Sequence, residues 1–269
     1  MPNNDSEVKE IQADLKKSGF PLEIVVSSIL AKKGWTVRNQ AYYTDQTENK
    51  GRTVDIMSHK AEFGTIGDYD RINLTLIIEC KKSNKPWLFY TNKMNTEEKD
   101  LNTIATIKQF SNPYILNNNR FVSWLTKSCH YSSKFLEDFG FNYYEPFKEG
   151  KGIDILTAFH QVSKSLDFMM RQSEEFAQIY SKRAGFKPLF IWYPIIVFDG
   201  HLYEYKIEGE ECQLVRRQNF TYHLCQEKNY FVDIVEKEYF PIFLEKIDQE
   251  FLDLIAVLGN HEQAVTTAL

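Results

Sequence analysis

The sequence predicts an α/β fold, and three observations carry that expectation. Residues 21–34, PLEIVVSSILAKKG, repeat apolar side chains at helical spacing and end in a glycine. Asn73 to Lys81 is nearly continuously apolar through Leu74, Leu76, Ile77 and Ile78, as in a central strand covered on both faces. A long helical pattern from about Ile153 to Arg183 is followed by an apolar strand pattern at 186–198. Together these give a helix, a group of strands, a second helix and a further strand.

Taken in order, residues 5–17 read as a short amphipathic helix with Val8, Ile11 and Leu15 on one side, stopped by Gly19. Pro21 suits the first turn of the next helix. Leu22, Val25, Val26, Ile29 and Leu30 form its expected buried stripe. Lys32 and Lys33 complement the helix dipole in the last turn, and Gly34 ends it. A strand begins at Trp35 and runs to Tyr43, and TDQTENKGR reads as a loop. Thr53–Ser58 is a strand, Gly64–Arg71 a turn region rich in Gly and Asp, and Asn73–Lys81 the central strand. Ser83–Pro86 turns the chain into a short strand at Trp87–Thr91.

Residues 92–150 are dense in Asn (Asn102, Asn112, Asn117, Asn118, Asn119) and lack periodicity. They read as a peripheral insertion with a few short helices. In the long helix, Ile155, Leu156, Phe159, Val162, Leu166, Met169, Met170, Phe176 and Ile179 supply the apolar side. After the strand at 186–198, Asp199-Gly200 is a hairpin signal, expected to pair residues 202–207 back on that strand. Phe231–Val235 is a strand and Tyr239–Val257 a closing helix. The expected organisation is one domain over 1–269, with an insertion at 92–150 and a strand-and-helix extension at 200–269.

Composition narrows the functional classes. The chain has 269 residues, 43% apolar and 26% charged, the make-up of a soluble globular protein. The longest apolar run, Leu189–Phe198, holds Pro194 and is far short of the roughly 20 residues of a membrane span. The opening residues show no signal pattern, so a cytoplasmic protein without membrane partners is expected. Cys80, Cys129, Cys212 and Cys225 form no zinc spacing and read as reduced thiols. The six His residues show no ligand spacing, and no phosphate-binding glycine loop is present. Net charge is -5, which speaks against a uniformly basic nucleic-acid binder. The acidity is concentrated, however. From Phe231 onward two Lys stand against eight acids, and the rest of the chain is close to neutral. A local basic cleft is compatible with that distribution.

Three residues carry the chemistry. Asp55 lies at the start of one strand, and Glu79 and Lys81 at the end of the next. Positions i and i+2 of a strand share a face, so Glu79 and Lys81 point together while Ile78 and Cys80 point away. If the two strands are neighbouring arms, Asp55 and Glu79 converge. Two carboxylates at one spot repel unless a positive group lies between them. Mg²⁺, which takes carboxylate and water oxygens, meets that need. Lys81 then faces a water or a phosphate, where a positive group assists phosphodiester cleavage. Each residue also has a plain reading: Asp55 as a turn cap, Glu79 and Lys81 as a solvated ion pair.

Asp55 followed by Glu79-Cys80-Lys81 after an apolar strand resembles the PD-(D/E)xK signature of the restriction-endonuclease-like nuclease superfamily. The run from Glu23 to Trp35 resembles the opening of its Mrr-like members. Val54 stands where the family usually has proline. The resemblance implies an αβββαβ core around a mixed central sheet, and a nuclease that takes Mg²⁺, with Mn²⁺ as a substitute, and leaves 5′ phosphates. It implies Asp55, Glu79 and the Cys80 carbonyl as metal ligands. By the same resemblance Glu23 is expected to complete or organise the metal site, and Lys81 to support the attacking water and the phosphate charge. Gln161 and Lys164, three apart on the long helix and so on one face, are candidate contacts to the site or to phosphate, as is Lys82. Glu23 is equally a first-turn acid favoured by the dipole, and Gln161 and Lys164 equally a solvated helix face. Asp45, after the first core strand, is a lesser candidate. Tyr42, Tyr43, Trp87, Phe89 and Tyr90 either stack on bases or belong to the core.

The expected function is a metal-dependent nuclease acting on nucleic acid, DNA before RNA, in bacterial restriction or antiviral defence, and able to act as a homodimer. Two alternatives stand beside it: a catalytically inactive nuclease-like interaction module, and a nuclease released by an effector.

Overall fold

A computed structural model describes residues 4–18, 20–92, 110–111, 119–127, 139–147, 154–208, 211–225 and 229–259. Helix α1 (Asn4–Lys17) and α2 (Phe20–Lys32) come first. Strands β1 (Thr36–Asp45), β2 (Lys50–Ile66), β3 (Tyr69–Lys82) and β4 (Trp87–Asn92) follow. Then come β5 (Phe110–Ser111), α3 (Asn119–Lys127), β6 (Phe139–Tyr144) and the long α4 (Asp154–Ala184). The chain closes with β7 (Pro188–Asp199), β8 (Leu202–Glu208), β9 (Glu211–Arg217), β10 (Asn219–Cys225), β11 (Asn229–Glu236) and α5 (Phe240–Gly259).

Among the described residues, all eleven strands join one mixed sheet in the order β1-β2-β3-β7-β11-β10-β6-β4-β8-β9, with β5 pairing on β7. The strands β1, β2 and β3 form an antiparallel meander. β7 lies parallel to β3, with Glu79 opposite Ile196 and Lys81 opposite Phe198. Parallel neighbours need a crossover, and α4 supplies it. β11 then pairs parallel to β7.

Two apolar layers cover the sheet. On one face Leu22, Val26 and Leu30 of α2 and Phe243, Leu244, Ile247, Phe251 and Leu254 of α5 pack on Ile56, Leu76, Ile78 and Ile195. On the other, Ile155, Phe159, Val162, Leu166 and Met170 of α4 pack on Ile77, Trp192, Ile196 and Phe198. β3 is buried without interruption from Ile72 to Cys80, which is why it reads as an unbroken apolar run rather than an alternating one.

The end of α2 shows how local sequence sets the approach to β1. Gly34 takes φ +77, a conformation that is cheap only without a Cβ. Its amide donates to Ala31 O (3.0 Å) and the Trp35 amide to Leu30 O (3.1 Å). This is the double closure of a Schellman cap, and it turns Trp35 under the helix.

The structure differs from the sequence reading in several places. Val25 is 40% exposed and does not belong to the buried stripe of α2. β1 runs to Asp45 and β2 starts at Lys50, so the expected long loop shrinks to residues 46–49. Gly64–Arg71 is mostly strand, with the turn confined to residues 67–68; the β2–β3 pairing runs on to Ile66 and Tyr69, which are themselves buried. β8 does not fold back on β7. Both edges of β7 are taken by β3 and β11, so β8 pairs parallel to β4 instead. β6, within the expected peripheral insertion, is an interior strand between β4 and β10. The Asn-rich positions 102, 112, 117 and 118, and Cys129, lie outside the described residues. Ile179 is exposed. Among the described residues no helix is long and apolar enough to cross a membrane.

Candidate functional site

The site forms where the β2–β3 ladder ends. The last registered pair is Ile56 opposite Ile78, and Asp55 and Glu79 are the next positions beyond it. There the backbone ladder gives way to a side-chain contact: the Cys80 amide donates to Asp55 Oδ2 at 2.8 Å. Lys81 Nζ donates to Glu79 Oε1 (2.8 Å) and to Gln161 Oε1 on α4 (2.9 Å). The expected alternation along β3 is observed. Glu79 and Lys81 meet on the α4 side, while Ile78 and Cys80 pack in the opposite layer.

Glu23, in the first turn of α2, comes to the same mouth. Gln40 Nε2 donates to Glu23 Oε2 at 2.7 Å, and Thr53 Oγ1 donates to Gln40 Oε1 at 3.0 Å. Gln40 stands opposite Asp55, between the registered pairs Asn39–Ile56 and Ala41–Val54. Its φ is +49, a left-handed conformation that costs a non-glycine residue roughly 1–2 kcal/mol.

Three carboxylates therefore surround one ammonium group. Burial, then the charge of Asp55, pushes Glu79 up to about 7; Lys81 pulls it back only in part. Burial also raises Asp55, against the opposing Cys80 amide and Lys81. Glu23 is raised by burial and by Asp55. Glu79 is 1% exposed; its Oε2 meets no donor group of the chain, and the protonated Glu79 carboxyl is placed to share a hydrogen bond with Asp55. A buried carboxylate oxygen left unpaired is costly, and a small hard cation relieves that cost.

Among the described residues no group of three or more His, Cys, Asp or Glu side chains is arranged as a metal cage. Two carboxylates, Asp55 and Glu79, converge here beside Lys81; with water they could hold a small hard cation such as Mg²⁺, which keeps several waters in its shell. Excess negative charge, an orphaned carboxylate oxygen and hard oxygen donors all suit such an ion.

The remaining sequence candidates divide. Gln161 reaches the site through Lys81. Lys164, one turn on, turns to Asp45 Oδ2 at 2.7 Å. Asp45 is 1% exposed and also accepts from Arg52 Nε (3.1 Å) and from the amides of Thr47 and Glu48. Burial pushes its carboxyl up, but the Lys164 bond and these amides outweigh it and hold it below its ordinary value. This cluster fastens the β1–β2 turn to α4. Lys82 is exposed at the end of β3. Trp87, Phe89 and Tyr43 are core residues, Tyr42 is exposed, and Tyr90 packs edge-on against Tyr205.

One neighbour of the site, Gln40, goes unread in the sequence, and another, Tyr43, reads there only as a base-stacking or core aromatic. Gln40 carries no signal there, because its role depends on its backbone conformation. Tyr43 is fully buried with an unpartnered hydroxyl. Burial pushes its phenol up to about 12, opposed by Arg52 and reinforced by Asp45 and Glu79. An aromatic in an alternating strand looks like core, which Tyr43 also is.

Comparison with known proteins finds no matching family model, curated protein or solved structure.

Proposed function

We propose that this chain is a metal-dependent nuclease that hydrolyses phosphodiester bonds, in DNA by preference, at the mouth formed by Asp55, Glu79 and Lys81. The observation that carries the reading is the convergence of Asp55 and Glu79 beside Lys81, with Glu79 Oε2 buried and meeting no donor group of the chain. The order α2, β1–β3, α4, β7, with β7 parallel to β3, supports it, because it is the order implied by the resemblance to PD-(D/E)xK nucleases.

Asp55 and Glu79 would hold the ion, with the Cys80 carbonyl as a third donor, and Glu23 would bind or orient its waters. When bound, Mg²⁺ supplies Lewis acidity toward a phosphoryl oxygen and a nucleophile at neutral pH. The chain's own groups do the rest. Lys81, held by Glu79 and Gln161, offers an ammonium to the charge that grows on the phosphate oxygens. Gln161 fixes that ammonium from α4. The Cys80 amide prevents Asp55 from rotating out of the mouth.

The test is cleavage of supercoiled DNA, linear DNA and single-stranded RNA in Mg²⁺, Mn²⁺ or EDTA. Wild type should cut DNA in either metal and not in EDTA. Lys81→Ala should lose activity on the order of 100-fold, and Glu79→Ala at least as much. Cutting that survives EDTA, or that survives both substitutions, would overturn the assignment.

A further inference from the structure

The sheet ends at β9, whose outer edge pairs with no strand among the described residues. β9 differs from the opposite end strand. β1 buries Ala41, Tyr43 and Asp45, whereas no residue of β9 is buried and Leu214 is 58% exposed. An open edge is a template for another strand, and soluble proteins usually guard it with proline, a bulge or outward lysines. β9 has no proline, and its register with β8 runs unbroken from Leu202–Arg217 to Glu208–Glu211. Its two arginines turn toward the molecule's own acids. Arg217 Nε donates to Glu204 at 2.6 Å, while Arg216 binds Glu236 and lies 2.7 Å from His201 Nδ1.

We propose that β9 pairs antiparallel with β9 of a second copy of this chain, about a two-fold axis through Leu214, so that one sheet continues across a dimer. In the one antiparallel register that pairs all seven residues of Glu211-Cys212-Gln213-Leu214-Val215-Arg216-Arg217, the terminal charges are complementary, and Cys212 faces the partner's Arg216. Glu211 then faces the partner's Arg217, Gln213 faces the partner's Val215, and Leu214 meets its own copy on the axis. Opposite charges meet at both ends, and symmetry makes each off-axis contact twice. Arg217 uses part of its donor fork on Glu204 and keeps donors for the partner's Glu211. A parallel in-register pairing would set Arg216 and Arg217 against themselves, which is repulsive. A strand from an unrelated protein would satisfy the backbone but would not call for a charge pattern that inverts about its centre. This inference stands apart from the nuclease reading: β9 lies at the far end of the sheet from β1–β3.

The experiment uses the full chain. Light scattering of wild type should give a dimer mass, and Leu214→Asp, which sets like charges on the axis, should give a monomer with an unchanged circular dichroism spectrum. In a Cys212→Ser background, Leu214→Cys should form an intermolecular disulfide on mild oxidation. Directly opposed strand positions lie about 4.5 or 5.5 Å apart, both within disulfide reach. Gln213→Cys, offset by two residues from its copy, should cross-link at least about ten-fold less. A wild type that is monomeric at every concentration would overturn the proposal. So would a dimer that survives Leu214→Asp, or equal cross-linking through positions 213 and 214. If Leu214→Asp fails to fold, the comparison of the two cysteine variants still decides.

Discussion

The Cys80 amide donates to Asp55 Oδ2 at 2.8 Å, so a carboxylate takes the place of a carbonyl where the β2–β3 ladder ends. The same bond closes the sheet and aims an acid at Glu79. Asp55→Ala removes acceptor and charge together, leaving a buried N–H unpaired at a cost of roughly 1–3 kcal/mol. Asp55→Asn keeps an acceptor and should stay near wild-type stability. Both should lose cleavage on the order of 100-fold. Urea denaturation alongside DNA cleavage separates the two roles.

Glu79 should make stability fall with rising pH. Its carboxyl sits at about 7 in the folded chain against an ordinary 4.5, so the folded state holds the proton more tightly than the unfolded one. The resulting stabilisation is complete below about 4.5 and is lost as pH rises through about 7. In EDTA the melting temperature should drop across that window, and Glu79→Gln should flatten the drop. Mn²⁺ should also oppose it by binding the ionised form.

Gln40 separates backbone strain from function. Gln40→Gly accepts φ +49 without the left-handed penalty but cuts the link to Glu23 and Thr53. Thermal stability should hold or rise by about 1 kcal/mol, while cleavage falls about ten-fold through misplacement of Glu23. Equal loss of stability and activity would assign Gln40 to the fold alone. Gln40→Asn tests reach, because its amide is one methylene shorter.

Lys164 and Gln161 share a face of α4 but should behave differently. Lys164→Met leaves Asp45 buried without its lysine and should cost about 1–3 kcal/mol, with cleavage per folded molecule largely kept. Gln161→Leu should do the reverse. Asp45 also gives an acid limb: its carboxyl is held below the ordinary 3.8, so its contribution is present above that value and lost as pH falls through the folded one. Acid titration of wild type and Lys164→Met, followed by circular dichroism, shows whether that limb depends on the lysine.

What the sequence revealed depended on whether a residue's surroundings were local. β3 was legible because it is covered on both faces, so its burial appears directly as an apolar run that stops at Glu79. The i, i+2 rule was enough to place Lys81 beside Glu79. α2 was legible because its stripe, its lysines and Gly34 agree. β9 was not, because neither face is buried and no periodicity marks it. The partner of β8 was misread because Asp199-Gly200 signals a local turn, whereas pairing was decided by β3 and β11 already flanking β7. Gln40 and the Asp45–Lys164 contact join residues far apart in sequence, and no local pattern encodes them.

Whether the mouth of β2 and β3 holds a divalent cation is tested most directly by calorimetric titration of Mn²⁺ into wild type and Glu79→Gln at about pH 8, since Glu79 is ionised above about 7. Saturable binding by wild type, weakened on the order of 100-fold in Glu79→Gln, is the predicted result. Absence of binding by wild type, or equal binding by the two proteins, would contradict it.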